Sequence, residues 1–197
     1  MVNEDSRIPG LLTAAARAAD PVVRGVRDAQ LVSATPCGAY DVRALLNHLF
    51  HVVVGFQSLA AKEAVDFSVT PDYLEGDWRG RFGAETEMLA RAWSAPDALE
   101  GISGGMGLPQ RTVAHMVLGD LTVHAWDLAR ATGQPFTPDE DAVAEVTPTF
   151  AELAPTGRKM GVFGEELPIP ADAPTFDRLL GVTGRDPAWH PDHAATG

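Results

Sequence analysis

From Leu11 to about residue 154 the apolar residues of this chain recur every three or four positions, and the pattern stops only where proline and glycine gather. That spacing builds one apolar face on an α-helix, whereas a half-buried strand requires strict alternation, so an all-α chain is expected. The first helix runs through "LLTAAARAADPVVRGV", with Pro21 expected to end or kink it because proline removes a backbone N–H and crowds the preceding turn. "SATPCGAYDV" breaks the pattern, and Asp41 is placed to cap a second helix reaching roughly Ala64. A third helix is expected from about Trp78 to Trp93, followed by the flexible turn "GISGGMGLPQ". The fourth spans about Arg111 to Thr132 and stops at Gly133, a residue suited to terminating helices. A fifth begins beyond Pro138 and reaches about Leu153. The remaining segment is rich in Gly and Pro, with one short helical stretch near Thr175 to Leu180, and is expected to lie across the helices as an irregular cap. No internal repeat or low-complexity tract interrupts this plan. The expected division is a bundle over residues 1–155 and an extension over 156–197. In such bundles, sites are built from side chains projecting inward from facing helices.

One helix breaks its own pattern. In "GDLTVHAWDLARATG", residues 119–133, Asp120 and His124 stand about 40° apart around the axis, among the apolar Val113, Val117, Leu121 and Leu128. On the second helix, Leu45, Leu49, Val52, Phe56 and Leu59 share a face with His48 at its inner edge, while His51 points further outward and, on the fourth helix, His115 falls on the side opposite the Asp120 and His124 pair. Three readings compete for that pair. It can be a core histidine satisfied by a neighbouring carboxylate, since buried polar groups need partners. It can belong to a nucleophile, histidine and acid machine, although no Gly-x-Ser-x-Gly elbow occurs. Or it can join His48 to hold a divalent metal by two imidazoles and a carboxylate, a set that leaves coordination positions open for water or substrate.

Composition narrows the partners. The 197 residues suit one compact domain, and the net charge of -12 repels nucleic acid and anionic membrane at long range. The apolar stretch "LLNHLFHVVVGFQSLAA" is interrupted by Asn47, His48, His51 and Gln57, which leaves no clean membrane span. "MVNEDSRIPG" lacks the basic start of a signal peptide, and a cytoplasmic protein is expected. The single Cys37 excludes an internal disulfide and a multi-thiolate zinc site, so any metal is held by His and carboxylate.

"TPCGAYDVRALLNHL", then "VHAWDLARATG", then "FGEELPIPADAPTFDRLLGVTGRDPAW", in that order and together covering nearly the whole chain, resemble the DinB-like metal-binding proteins of actinobacteria. These are grouped with the N-terminal domain of mycothiol-dependent maleylpyruvate isomerase. The resemblance implies a DinB-like four-helix bundle with a short irregular C-terminal cap. It also implies a divalent metal, zinc first and nickel or iron next, held by His48, Asp120 and His124. The isomerase carries Glu where this chain has the shorter Asp120. Through the same resemblance a metal-dependent enzyme acting on a low-molecular-weight thiol such as mycothiol and an electrophile is expected, as a transferase or isomerase. A non-catalytic metal protein and a metal-dependent hydrolase are the alternatives. The chain is too short to carry the isomerase's full C-terminal domain, so maleylpyruvate isomerisation itself is not expected.

Other residues carry weaker signals. Asp127 shares the face of Asp120 and can be a ligand, an outer partner of a liganding imidazole, or the mate of Arg43 or another arginine. Trp126 points away from the pair and reads as packing. Cys37, before a helix N-terminus, can have a lowered pKa or be a small buried apolar residue. The "GGMG" turn lacks the ending of a phosphate loop and can border the site. Arg158 and Arg185 read as surface ion pairs, or as holders of a substrate carboxylate or phosphate. His190 and His193 lie in the polar tail and are excluded from the site.

Overall fold

A computed structural model describes residues 7–191. The expectations for the first six residues and for His193 lie outside the described residues. Among the described residues six α-helices account for the architecture: α1 (Arg7–Gly25), α2 (Val42–Ala60), α3 (Trp78–Trp93), α4 (Gln110–Thr132), α5 (Glu140–Lys159) and α6 (Thr175–Val182). Among the described residues there is no strand, only isolated bridges at Ala34 with Asp41 and Ile102 with Pro109. The first four helices form a bundle in which α1 packs on α3 and α4, and α2 packs on the same two. α5 lies against the outside of α4, and α6 against α5.

Local chemistry sets the helix ends. Asp41 caps α2 as expected, its Oδ1 accepting from the Ala44 N–H at 2.8 Å, and Gly133 ends α4 in the left-handed region at φ 69°. α2 stops at Ala60, short of the expected Ala64, where Lys62 takes a left-handed φ of 63°. Its connection to α3 then folds back over the helix. α1 does not break at Pro21. Pro21 and Arg17, whose carbonyl loses its helical donor, are both exposed, so the break falls on the solvent side while Ala19, Val22 and Val23 keep the apolar face buried. The same holds in α5, where Pro148 and Pro155 stand on the exposed side. That helix runs to Lys159, past the expected end near Leu153.

The core is continuous through the bundle, with Phe50 set edge-on to Phe82 at 5.2 Å and Trp93, Leu45, Leu49, Leu118 and Leu121 fully buried. Because α4 has α1 and α2 on one side and α5 on the other, it is buried nearly all round. The cap is fastened to α4 by Arg130, which donates to the Trp189 carbonyl at 2.6 Å, and by Arg185, which reaches Asp127.

Candidate metal centre

α2 and α4 run antiparallel, since the Gln110 side chain at the start of α4 donates to the Leu59 carbonyl at the end of α2. That direction sets His48 against the middle of α4. The rings of His48 and His124 meet edge-on at 5.0 Å, and Tyr40 stacks on the other side of His48 at 5.1 Å. Asp120 follows one turn away, its Oδ1 3.8 Å from the His124 Nε2. The potential ligand atoms of His48, Asp120 and His124 all lie within 4.8 Å of one another. Tetrahedral ligands at ~2.1 Å from an ion are about 3.4 Å apart, so only a small contraction would be needed.

The chemistry of the donor set fits a divalent cation. Burial, reinforced by His124, pushes the His48 imidazole down to about 3, which keeps its lone pair available at neutral pH. Burial also raises the Asp120 carboxyl above its ordinary value, opposed by His124 and Arg185. A partly buried carboxylate in this state gains from a neighbouring positive charge. His124 is fixed from behind: its Nδ1 is 2.9 Å from Asp127 Oδ2. A carboxylate only accepts, so Nδ1 carries the proton and Nε2 is left to face Asp120.

A second group, Cys37, His124 and Asp127, also comes within 4.8 Å. Asp127 is already paired there with the imidazole and with the Arg185 guanidinium at 3.2 Å, and that fixed positive charge disfavours a cation. Burial raises the Cys37 thiol, with Arg185 opposing, so the lowered pKa considered for a thiol at a helix start does not occur. Cys37 lies half-buried beside the site.

The triad opens on a cavity of about 290 Å³ that Cys37, Tyr40, Met106 and Arg185 also line. Met106 belongs to the glycine-rich turn, which borders the site as expected. A larger cleft of about 890 Å³ lies between α1 and α3, where Asp20 and Arg24 pair and no imidazole or thiol contributes.

Residues 12–129 match the family described as the mycothiol maleylpyruvate isomerase N-terminal domain. The chain belongs to this family. Two uncharacterized proteins of Mycobacterium tuberculosis, one in each of two strains, are 31% identical to it over 173 residues, covering 83% of this chain and 90% of theirs. No solved structure matches. The matched region of the mycothiol maleylpyruvate isomerase N-terminal domain family runs from α1 into the last turn of α4. It contains His48, Asp120 and His124, while Arg185 lies beyond it.

The remaining candidates separate cleanly. His51 is buried, not turned outward, because the connection after α2 covers it; its Nδ1 lies 3.0 Å from the Tyr73 hydroxyl and its ring meets Phe67. His115 does face away from the pair, but into α5, where Thr149 and Glu145 take its two ring nitrogens at 2.7 and 3.0 Å. Trp126 packs edge-on against Phe176. Arg43 pairs with Asp72 rather than Asp127. Arg158 ties α5 to the cap through the Val182 carbonyl and Glu166. Arg185 is no surface ion pair: it is 4% exposed and holds Asp127. His190 sits beside Arg130 in the tail. The sequence signal for Arg185 was its isolation in an acidic chain; nothing local disclosed that it is buried.

Proposed function

We propose that this protein is a cytoplasmic, metal-dependent enzyme that uses a low-molecular-weight thiol such as mycothiol to transform an electrophilic substrate, as a transferase or isomerase. In this reading the bundle of residues 1–155 holds one divalent ion through His48, Asp120 and His124, with zinc the first choice and nickel or iron also suited to two imidazoles and a carboxylate. A single observation carries it: two imidazoles and a carboxylate from facing helices converge beside an open cavity, within the part of the chain that matches the family. Bound there, such an ion would favour the thiolate form of a thiol at neutral pH. The protein's own groups do the rest. Asp127 keeps the His124 tautomer and orientation, Arg185 holds Asp127 in place, and Tyr40 supports the His48 ring.

The test loads the protein with zinc and screens mycothiol and other small thiols against a panel of electrophiles. Thiol-dependent turnover is expected, with about one ion per chain by elemental analysis. Ester or amide cleavage without thiol would replace this reading with metal-assisted hydrolysis. Metal uptake with no turnover would leave a non-catalytic metal protein. His48→Ala should abolish metal occupancy, whereas His51→Ala and His115→Ala should keep it.

A further inference from the structure

The cavity continues well beyond the triad. Val52 and Phe56 follow His48 at intervals of four along α2, and Met116 precedes Asp120 by four on the antiparallel α4, so these side chains recede from the triad by ~6 Å for every four residues along one seam. The far walls are apolar as well. Phe67 leans on Phe56 at 5.7 Å, and Phe150 stacks on Phe163 at 5.6 Å. Phe150 is seated against Gly119, where a Cβ would fall only 2.0 Å from its ring. The whole chamber, polar end and apolar end together, holds about 290 Å³, near the lower limit of small-molecule sites, ~300 to 1,000 Å³.

Charge decides what can enter. Among the described lining residues Arg185 is the one Lys or Arg. Its Nη2 donates to Asp127 and its Nη1 to the Thr183 carbonyl. Nε is buried without a partner, and Asp127 already matches the guanidinium's charge, which leaves Arg185 a poor grip for the carboxylate of a second substrate. With Asp120 and Asp127 negative and Arg185 positive, the polar end carries one net negative charge. A divalent ion and a thiolate together add one positive charge, and the sum is zero. No cation is left for an anionic second substrate, whose burial against phenylalanines would be costly.

We infer that the compound taken up beside the triad is an uncharged, largely hydrocarbon molecule, seated between Val52, Phe56, Met116 and the Phe150 and Phe163 pair. Naming it the electrophile rests on the proposed thiol chemistry; the shape and apolarity of the chamber do not.

Calorimetric titration of the zinc-loaded protein with cyclohexyl methyl ketone and with cyclohexanecarboxylate, matched in size and different in charge, tests this with and without excess mercaptoethanol. The ketone should bind in both conditions, and with thiol present at least about tenfold more tightly than the carboxylate. Met116→Glu, which puts a charge in the apolar end, should weaken the ketone by about tenfold or more with zinc content unchanged; the uncharged Met116→Gln, made alongside, should weaken it less and covers the case in which Met116→Glu does not fold. Equal or tighter carboxylate binding in the presence of thiol, no ketone binding, or a ketone affinity indifferent to both substitutions would overturn the inference. If thiol changes neither affinity, the thiol chemistry fails while ketone binding and its loss on substitution still stand. Turnover of a dicarboxylate electrophile would do the reverse.

Discussion

Asp127 is fully buried and gives one oxygen to two partners, the His124 imidazole and the Arg185 guanidinium. It is therefore the residue through which the cap reaches the triad. Breaking a buried ion pair from one side leaves an uncompensated charge, at a cost of about 3–5 kcal/mol. Arg185→Met should lower the unfolding free energy by that order in urea titrations, and Asp127→Asn in the same chain should recover a large part of it. Asp127→Ala should weaken zinc affinity about 10- to 100-fold, because His124 loses the acceptor that fixes its tautomer. An affinity within about twofold of the parent would show that the carboxylate does not orient the imidazole. The inward aim of Asp120 and His124 was legible in helical phase alone, since it depends on residues four apart. The role of Asp127 was not, because its decisive partner stands 58 positions later in a segment with no periodicity to read.

Between α4 and α5 the contact is partly polar and partly a matter of space. Burial holds the His115 imidazole below its ordinary value; Glu145 opposes this and Arg111 adds to it. Glu145 is itself faced by Arg7 and Arg111. Because the folded value is the lower one, the unfolded chain takes up the proton first as pH falls below ~6.5. The stability associated with neutral His115 is therefore present above that pH and is lost progressively below it. Unfolding free energies measured at pH 7 and pH 5 should fall less in His115→Gln than in the parent, and equal losses would mean that other groups carry the slope. Gly119→Ala tests the space. The added methyl has to displace the buried, stacked Phe150, at about 1–3 kcal/mol, and Phe150→Leu in the same chain should relieve it. Element boundaries were less legible than element identity for a related reason. A proline reads in sequence as a break, yet Pro21, Pro148 and Pro155 all stand on exposed faces, and exposure is a property of the assembled bundle. His51 shows the same limit, since its phase on α2 was readable but the connection that covers it was not.

At the scale of the molecule, α2 and α4 meet along an antiparallel seam packed mainly by apolar side chains, with the triad as its polar interruption. An ion bound there adds a cross-link between two helices that α3 separates in sequence, and it binds the folded chain in preference to the unfolded one. Mass action then stabilises the fold by about 2.7 kcal/mol when free ion is 100 times its dissociation constant. For a domain of this size each kcal/mol moves the melting temperature by about 2–4 °C, so the zinc-loaded protein should melt about 5–11 °C above the chelated one. The control is His48→Ala, which keeps the Asp120 and His124 pair intact and removes only the ligand from the facing helix. If the pair were merely a histidine satisfied by a carboxylate, parent and variant would both ignore the chelator. If the ion spans the helices, the parent loses its shift on chelation and His48→Ala shows none at any zinc concentration that saturates the parent. A parent whose melting temperature stays fixed after elemental analysis proves the metal gone would return Asp120 and His124 to the core as an ordinary polar contact.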